Sequence, residues 1–298
     1  MGPAVVSYRF QRMPAVSRYF PRALLGRRSA LVPEGQGVPK LEASVSSVRV
    51  SGRRLDRYRE VCGFDDDGFL PIAYPHVVAM PLHYAILTHP RFVVRIMGLI
   101  HIANEIRQSR PLPADGMFAL RTWVEGHRAV DRGHEFDLYT SVEDAEGTAW
   151  QEKSTLLARR PSSGKPGARS ARQALRYEKP SPSDVVQQAD IDVPRAVGRR
   201  YGWLSGDLNP IHLADRGARM FGFDRAVAHG MWSMARSLAA LGAAPLAPPV
   251  QVNVEFKFPL FMPSVARLEH WAHDSRRVFV LKDAESDRPH LAGSAQHA

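Results

Sequence analysis

Two stretches of the chain, FALRTWVEG (118–126) and FDLYTSVED (136–144), alternate apolar and polar side chains with a period of two. That period predicts strands with one buried face. The same reading gives strand-like runs at 98–106, 116–130, 133–144 and 148–159. Ahead of them lie an extended segment around 45–62 and an apolar helical pattern over YPHVVAMPLHYAIL (74–87). The second half repeats this order. A helical stretch near 194–204 is followed by a small-residue helix at HGMWSMARSLAAL (229–241), then by strands at 250–258, 264–275, 277–283 and 290–298. A helix followed by several antiparallel strands, twice, predicts an α+β fold with a long helix packed on a curved sheet. A faint internal duplication accompanies it. Glu105-Ile106-Arg107 and Glu255-Phe256-Lys257 each close a strand pattern and precede a Pro-Leu pair, with a two-residue gap needed to align them.

Between the two series, residues 159–184 are poor in large apolar side chains and rich in Pro, Ser, Gly and Arg, which is linker composition. The expected organisation is an Arg-rich N-terminal arm at 1–40, a first domain at 41–160, a linker at 161–184 and a second domain at 185–298. The arm is broken by Pro3, Pro14 and Pro21 and lacks a continuous apolar run, so a secretory signal is rejected. Its scarcity of acidic residues leaves a transit peptide open, and a docking arm or loosely ordered tail is the favoured reading.

Composition narrows the picture without deciding it. The 298 residues are 44% hydrophobic and 23% charged, enough for a packed core in one or two domains. A single cysteine, Cys62, excludes an internal disulfide and a thiolate metal cluster, which suits a reducing cytoplasm. No stretch reaches the roughly 18–20 apolar residues of a membrane helix. The formal net charge of +10 permits an anionic partner. Arg is spread along the chain and no nucleic-acid motif occurs, so no nucleic-acid or membrane partner is expected. Phosphate-bearing small ligands or an acidic carrier protein fit the charge equally well.

Chemistry concentrates in YGWLSGDLNPIH (201–212). Asn209 is a favoured helix N-cap and Pro210 a favoured first helical residue, so a helix is expected from 210 to Gly222. Asp207 and His212 then flank its positive end, where a neutral imidazole and an ionised carboxylate are both favoured. Together they can hold and polarise one water. Gly206 leaves room for close approach of backbone or ligand. An Asp-x-Asn-Pro turn alone is an ordinary capped helix start. The fuller string Gly-Asp-x-Asn-Pro-x-His would arise by independent draws in on the order of one in ten thousand chains of this length.

From Tyr201 through Met231 the sequence closely resembles the hydratase motif of the MaoC-like acyl dehydratases, the (R)-specific (type 2) enoyl-CoA hydratases. The first half resembles the degenerate N-terminal domain of their two-domain members through YPHVVAMPLHYAIL and GLIHIANEI. The resemblance implies a double hot-dog, each half a long central helix wrapped by an antiparallel sheet. It implies interconversion of (R)-3-hydroxyacyl and trans-2-enoyl thioesters of coenzyme A or an acyl carrier, in fatty-acid or related metabolism. Asp207 and His212 are then the catalytic pair, and Gly230, in His229-Gly230-Met231, offers a backbone N–H to the thioester carbonyl. Ser205, Asn209, His229 and Met231 would shape the turn or meet the substrate. No cofactor is implied. The first half lacks the Asp/His motif, so its implied role is a wider acyl pocket. A monomeric pseudo-dimer and a homodimer are both compatible.

Other features have plainer readings. His76, His83, His101, His229, His270 and His273 lack an acidic partner cluster in sequence, so no metal site is expected. Cys62 reads as a small buried hydrophobe. Trp232, Met234 and Leu238 read as core or pocket wall. Phosphate-loop and dinucleotide fingerprints are absent. The rival readings are a non-catalytic thioester-binding or partner subunit, a nucleic-acid-associated protein, and a hydratase for branched or dicarboxylic acyl groups.

Overall fold

In the computed structural model, residues 6–26, 28–160 and 176–297 are described. They form two compact units: 6–55 with 68–160, and 56–67 with 176–297.

The first unit begins with β1 (Val6–Phe10) and α1 (Phe20–Leu25), then β2 (Leu41–Arg49) and α2 (Gly52–Cys62), the last crossing into the second unit. Its central helix is α3 (Tyr74–Leu87), followed by β3 (Leu99–Gln108), β4 (Met117–Val130), β5 (Gly133–Asp144) and β6 (Gly147–Arg159). The strand order is β1-β2-β4-β5-β6-β3. All pairs are antiparallel except β1 with β2, which is parallel. Helix α3 packs against β2, β4 and β5, and is buried nearly all round, in keeping with its largely apolar sequence. The period-two patterns hold: Phe118, Leu120, Thr122 and Val124 on β4, and Phe136, Leu138, Thr140 and Val142 on β5, are buried.

The second unit contains β7 (Gln187–Val193), α4 (Val197–Ser205), α5 (Pro210–Leu213), α6 (Asp215–Arg219) and the central helix α7 (Gly230–Leu241). Strands β8 (Val250–Phe256), β9 (Ser264–His273), β10 (Arg276–Asp283) and β11 (Pro289–His297) follow. The order β7-β9-β10-β11-β8 is antiparallel throughout. It repeats β2-β4-β5-β6-β3 strand for strand. In both units the strand before the central helix opens the order and the strand directly after that helix closes it. The faint sequence duplication therefore reflects a repeated topology, with each Glu-x-basic triplet at the end of the post-helix strand.

Two expectations are corrected and one is narrowed. The segment 45–62 is not continuously extended. After β2 it is helical, because Leu55, Tyr58, Arg59 and Cys62 fall on one helical face and are all buried. Of the two readings of the N-terminal arm, its described residues take the docked one and not the loose tail. Strand β1 pairs with β2, Tyr19 and Ala23 pack on Tyr84, and Arg28 donates to the carbonyls of Leu87 and Thr88 at 2.9 and 2.7 Å. The helix expected over 210–222 is broken at Ala214, whose φ −161° and ψ 155° are extended. There Asp215 turns to accept the Ala226 N–H at 2.9 Å and to pair with Arg195 at 2.6 Å. Most of the expected linker, residues 161–175, lies outside the described residues. Among the described residues no helix is long and apolar enough to cross a membrane.

Candidate active site

Helix α4 ends at Gly206, whose φ of 84° is left-handed and suits a residue without a Cβ. Three short side-chain bonds then shape the turn. The Asp207 N–H donates to the buried Ser205 hydroxyl at 3.1 Å. The Asn209 N–H donates to Asp207 Oδ1 at 3.2 Å, and the Ile211 N–H donates to Asn209 Oδ1 at 3.4 Å. Asn209 is the N-cap and Pro210 the first helical residue, as the sequence predicts. With Oδ1 engaged in the turn, Oδ2 of Asp207 faces two imidazoles. It lies 3.9 Å from Nε2 of His212 and 3.9 Å from Nε2 of His229.

The two imidazoles are fixed by carbonyl oxygens, which can only accept. His212 Nδ1 lies 2.6 Å from the Val227 carbonyl, so Nδ1 is a donor, and in the neutral ring Nε2, on the Asp207 side, is the accepting nitrogen. His229 Nε2 lies 2.9 Å from the Asp207 carbonyl, so that nitrogen is the donor and Nδ1, buried without a partner, is the bare one. The two rings stack with centroids 3.8 Å apart, and Tyr201 flanks His229 at 5.0 Å. Burial, then the neighbouring His212, push the His229 imidazole down to about 3, so it is neutral at physiological pH. The Val227 carbonyl sets which nitrogen of the neutral ring carries the proton. Val227 also donates its N–H to the Ile211 carbonyl at 3.0 Å, so both of its backbone polar groups clamp the turn.

Asp207, His212 and His229 lie close enough together to hold a metal ion. The hydrogen bonding opposes that use: His229 presents to Asp207 a nitrogen whose proton is committed to a carbonyl. One carboxylate oxygen of Asp207 and one imidazole nitrogen of His212 face each other across a gap too long for a direct hydrogen bond and wide enough for a water to reach both.

His229 is the N-cap of α7 and supplies no side-chain cap. The first N–H groups of that helix, Gly230 foremost, have no carbonyl one turn back and point out of its positive end. A Cβ on Gly230 would meet the Phe256 ring at 3.1 Å, closer than ordinary van der Waals contact. Met231 is buried in the first turn of α7. Trp232, Met234 and Leu238 are core, and the Trp232 indole donates to the Val61 carbonyl at 2.9 Å. Cys62 is buried, and burial drives its thiol well above the usual range. His270 is buried, while His273, three residues on along β9, meets Glu178 and Asp184 at 3.5 and 3.9 Å. The sequence reading missed two supports: Val227, which acts through its carbonyl, and Gly198, whose missing side chain lets α4 meet the His212 backbone.

A central helix on an antiparallel sheet, twice, with one acid–base turn in the second unit, defines a double hot-dog protein. Residues 177–293 match the family model described as MaoC like domain. The chain is 28% identical over 268 residues to 3-hydroxyacyl-thioester dehydratase X of Mycobacterium tuberculosis, covering 89% of this chain and 92% of that one. The crystal structure of HtdX from the same organism superposes with a TM-score of 0.73 at 28% identity, over 86% of this chain and 99% of that one. A conserved hypothetical double hot-dog protein, also from M. tuberculosis, aligns at a TM-score of 0.52 over 84% and 93% of the two chains, at 14% identity, a likeness of fold alone. The second unit thus carries a match to the MaoC like domain, and the chain as a whole is similar in sequence and in its double hot-dog fold to a 3-hydroxyacyl-thioester dehydratase.

Proposed function

We propose that the protein is a hydro-lyase interconverting (R)-3-hydroxyacyl and trans-2-enoyl thioesters of coenzyme A or an acyl carrier. The observation that carries this reading is the Asp207/His212 pair, held 3.9 Å apart with the bare imidazole nitrogen facing the carboxylate. The name of the M. tuberculosis relative supports the same reaction class.

In the hydration direction, a water between Asp207 Oδ2 and His212 Nε2 is polarised by both. Its oxygen attacks C3 of the enoyl thioester while a proton passes to the pair. The electron pair of the C2–C3 double bond moves onto the thioester carbonyl, where the Gly230 N–H at the head of α7 meets the developing negative charge. The pair returns a proton to C2 on the same face, so water adds syn and the site is restored. Dehydration runs the same steps in reverse. Acid–base groups and an oxyanion contact suffice, and this reading assigns no cofactor. Ser205 and Asn209 act by holding the turn, and His229 acts by holding the backbone of Asp207.

The test is the loss of conjugated enoyl absorbance when purified protein meets trans-2-enoyl-CoAs of short, medium and long chain. Asp207→Asn and His212→Ala should each lower kcat at least about a hundredfold with the fold intact by circular dichroism. Activity within a few fold of the parent in both variants would overturn the assignment. Tight binding without turnover by the parent on every thioester, carrier-linked ones included, would favour the thioester-binding reading.

A further inference from the structure

The first unit buries a polar cluster that takes no part in this chemistry. His76 and His83 stand seven residues apart on α3, two turns, and so share a face. Opposite them on β6 is Glu152, its side chain fully buried. His76 Nδ1 lies 2.9 Å from each Glu152 oxygen, and the Asn104 amide donates to Oε1 at 2.6 Å. Thr140, the cross-strand neighbour of Glu152, has its hydroxyl 2.8 Å from His83 Nε2. The two rings are 5.0 Å apart, and His101 stacks over His76 at 6.2 Å.

We propose that His76, His83 and Glu152 form a site for one divalent transition-metal ion of the zinc class, buried in the core of the first unit. One ligand atom from each residue lies within 4.8 Å of the others. Ligands around a tetrahedral zinc stand roughly 3.3 Å apart, so closure needs side-chain movement of about an ångström. Two imidazoles and one carboxylate make a borderline nitrogen-rich donor set that favours zinc, cobalt or nickel over magnesium or calcium. The contrast with the second unit is chemical. There, backbone carbonyls hold the ring protons. Here, the partner of His83 is a hydroxyl, which can donate and leave the nitrogen bare, and the partner of His76 is an anion. A fully buried carboxylate needs a compensating partner, and a metal ion displacing the Nδ1 proton of His76 supplies one. Asn104 then orients the carboxylate from outside the ligand set.

The experiment uses the full chain, stripped with a chelator and titrated with Co2+ while its visible absorption is followed, with zinc content measured in parallel. One equivalent is expected in the parent and in His212→Ala, with affinity at least about tenfold weaker in His83→Gln. No bound equivalent in the parent, unchanged affinity in His83→Gln, or loss only in His212→Ala would overturn the site. If His83→Gln fails to fold, zinc titration of the parent decides, read by the imidazole nitrogen resonances. Shifts confined to the His76 and His83 rings support the site, and unmoved rings overturn it.

Discussion

At the scale of single residues, the site depends on which nitrogen holds which proton. The Val227 carbonyl takes the Nδ1 proton of His212, and the Asp207 carbonyl takes the Nε2 proton of His229. On the proposed reaction, His229 would act by positioning Asp207. His229→Ala should lower kcat, while His229→Gln, which keeps an N–H donor, should recover part of the loss, as measured with the enoyl-CoA assay. The same residue gives a pH prediction. Its imidazole is held near 3 in the folded chain, against about 6.5 when unfolded. The unfolded chain thus takes up a proton that the folded chain refuses. The stability due to neutral His229 is complete above about pH 6.5 and is lost as pH falls toward 3, a few kcal/mol in order of magnitude at the acid end. Melting temperature should fall from about pH 7 to about pH 4, and His229→Gln should flatten that fall. Equal slopes in the two proteins would contradict the assignment.

At the scale of elements, the turn 206–213 is seated by its contact with α4. A Cβ on Gly198 would fall inside the van der Waals shell of the His212 carbonyl and against Met262. Backbone cannot yield there as a flexible side chain would. Gly198→Ala is expected to displace the turn, lowering kcat about tenfold or more and reducing melting temperature, although it raises helix propensity. Asn209→Ala removes the cap of α5 and should cost about 1 kcal/mol in denaturant titration. A Gly198→Ala variant more stable than the parent would show that the close packing is dispensable.

At the scale of the whole molecule, one topology occurs twice and has diverged in chemistry. The second unit keeps the Asp/His turn, and the first places two histidines and a glutamate beneath its central helix. The formal charge of +10 also belongs to this scale. Attraction of a coenzyme A thioester by a cationic protein is screened as the Debye length shrinks from about 10 Å at 0.1 M salt toward about 3 Å at 1 M. KM for enoyl-CoA should therefore rise several-fold across that range while kcat holds. A salt-independent KM would mean that the charge serves another purpose.

The sequence by itself determined whatever is written locally. The period-two runs became β4 and β5, the largely apolar 74–87 became a buried helix, and Asn209-Pro210 became a capped helix start. Asp207, Asn209 and His212 could be read together because a turn brings near neighbours into contact. Only the tertiary structure decided what depends on distant pairings. Residues 56–67, from the first half of the chain, belong to the second unit, because Tyr58 and Cys62 are buried there and Val61 accepts the Trp232 indole N–H. The tautomer of His212 comes from a carbonyl 15 residues away, and a carbonyl leaves no trace in residue type. His76 meets Glu152 across 76 residues because sheet register, not spacing, puts β6 under α3. Short-range chemistry is encoded by residue order, and long-range chemistry by packing that sets which backbone and side-chain groups face each other once water is excluded.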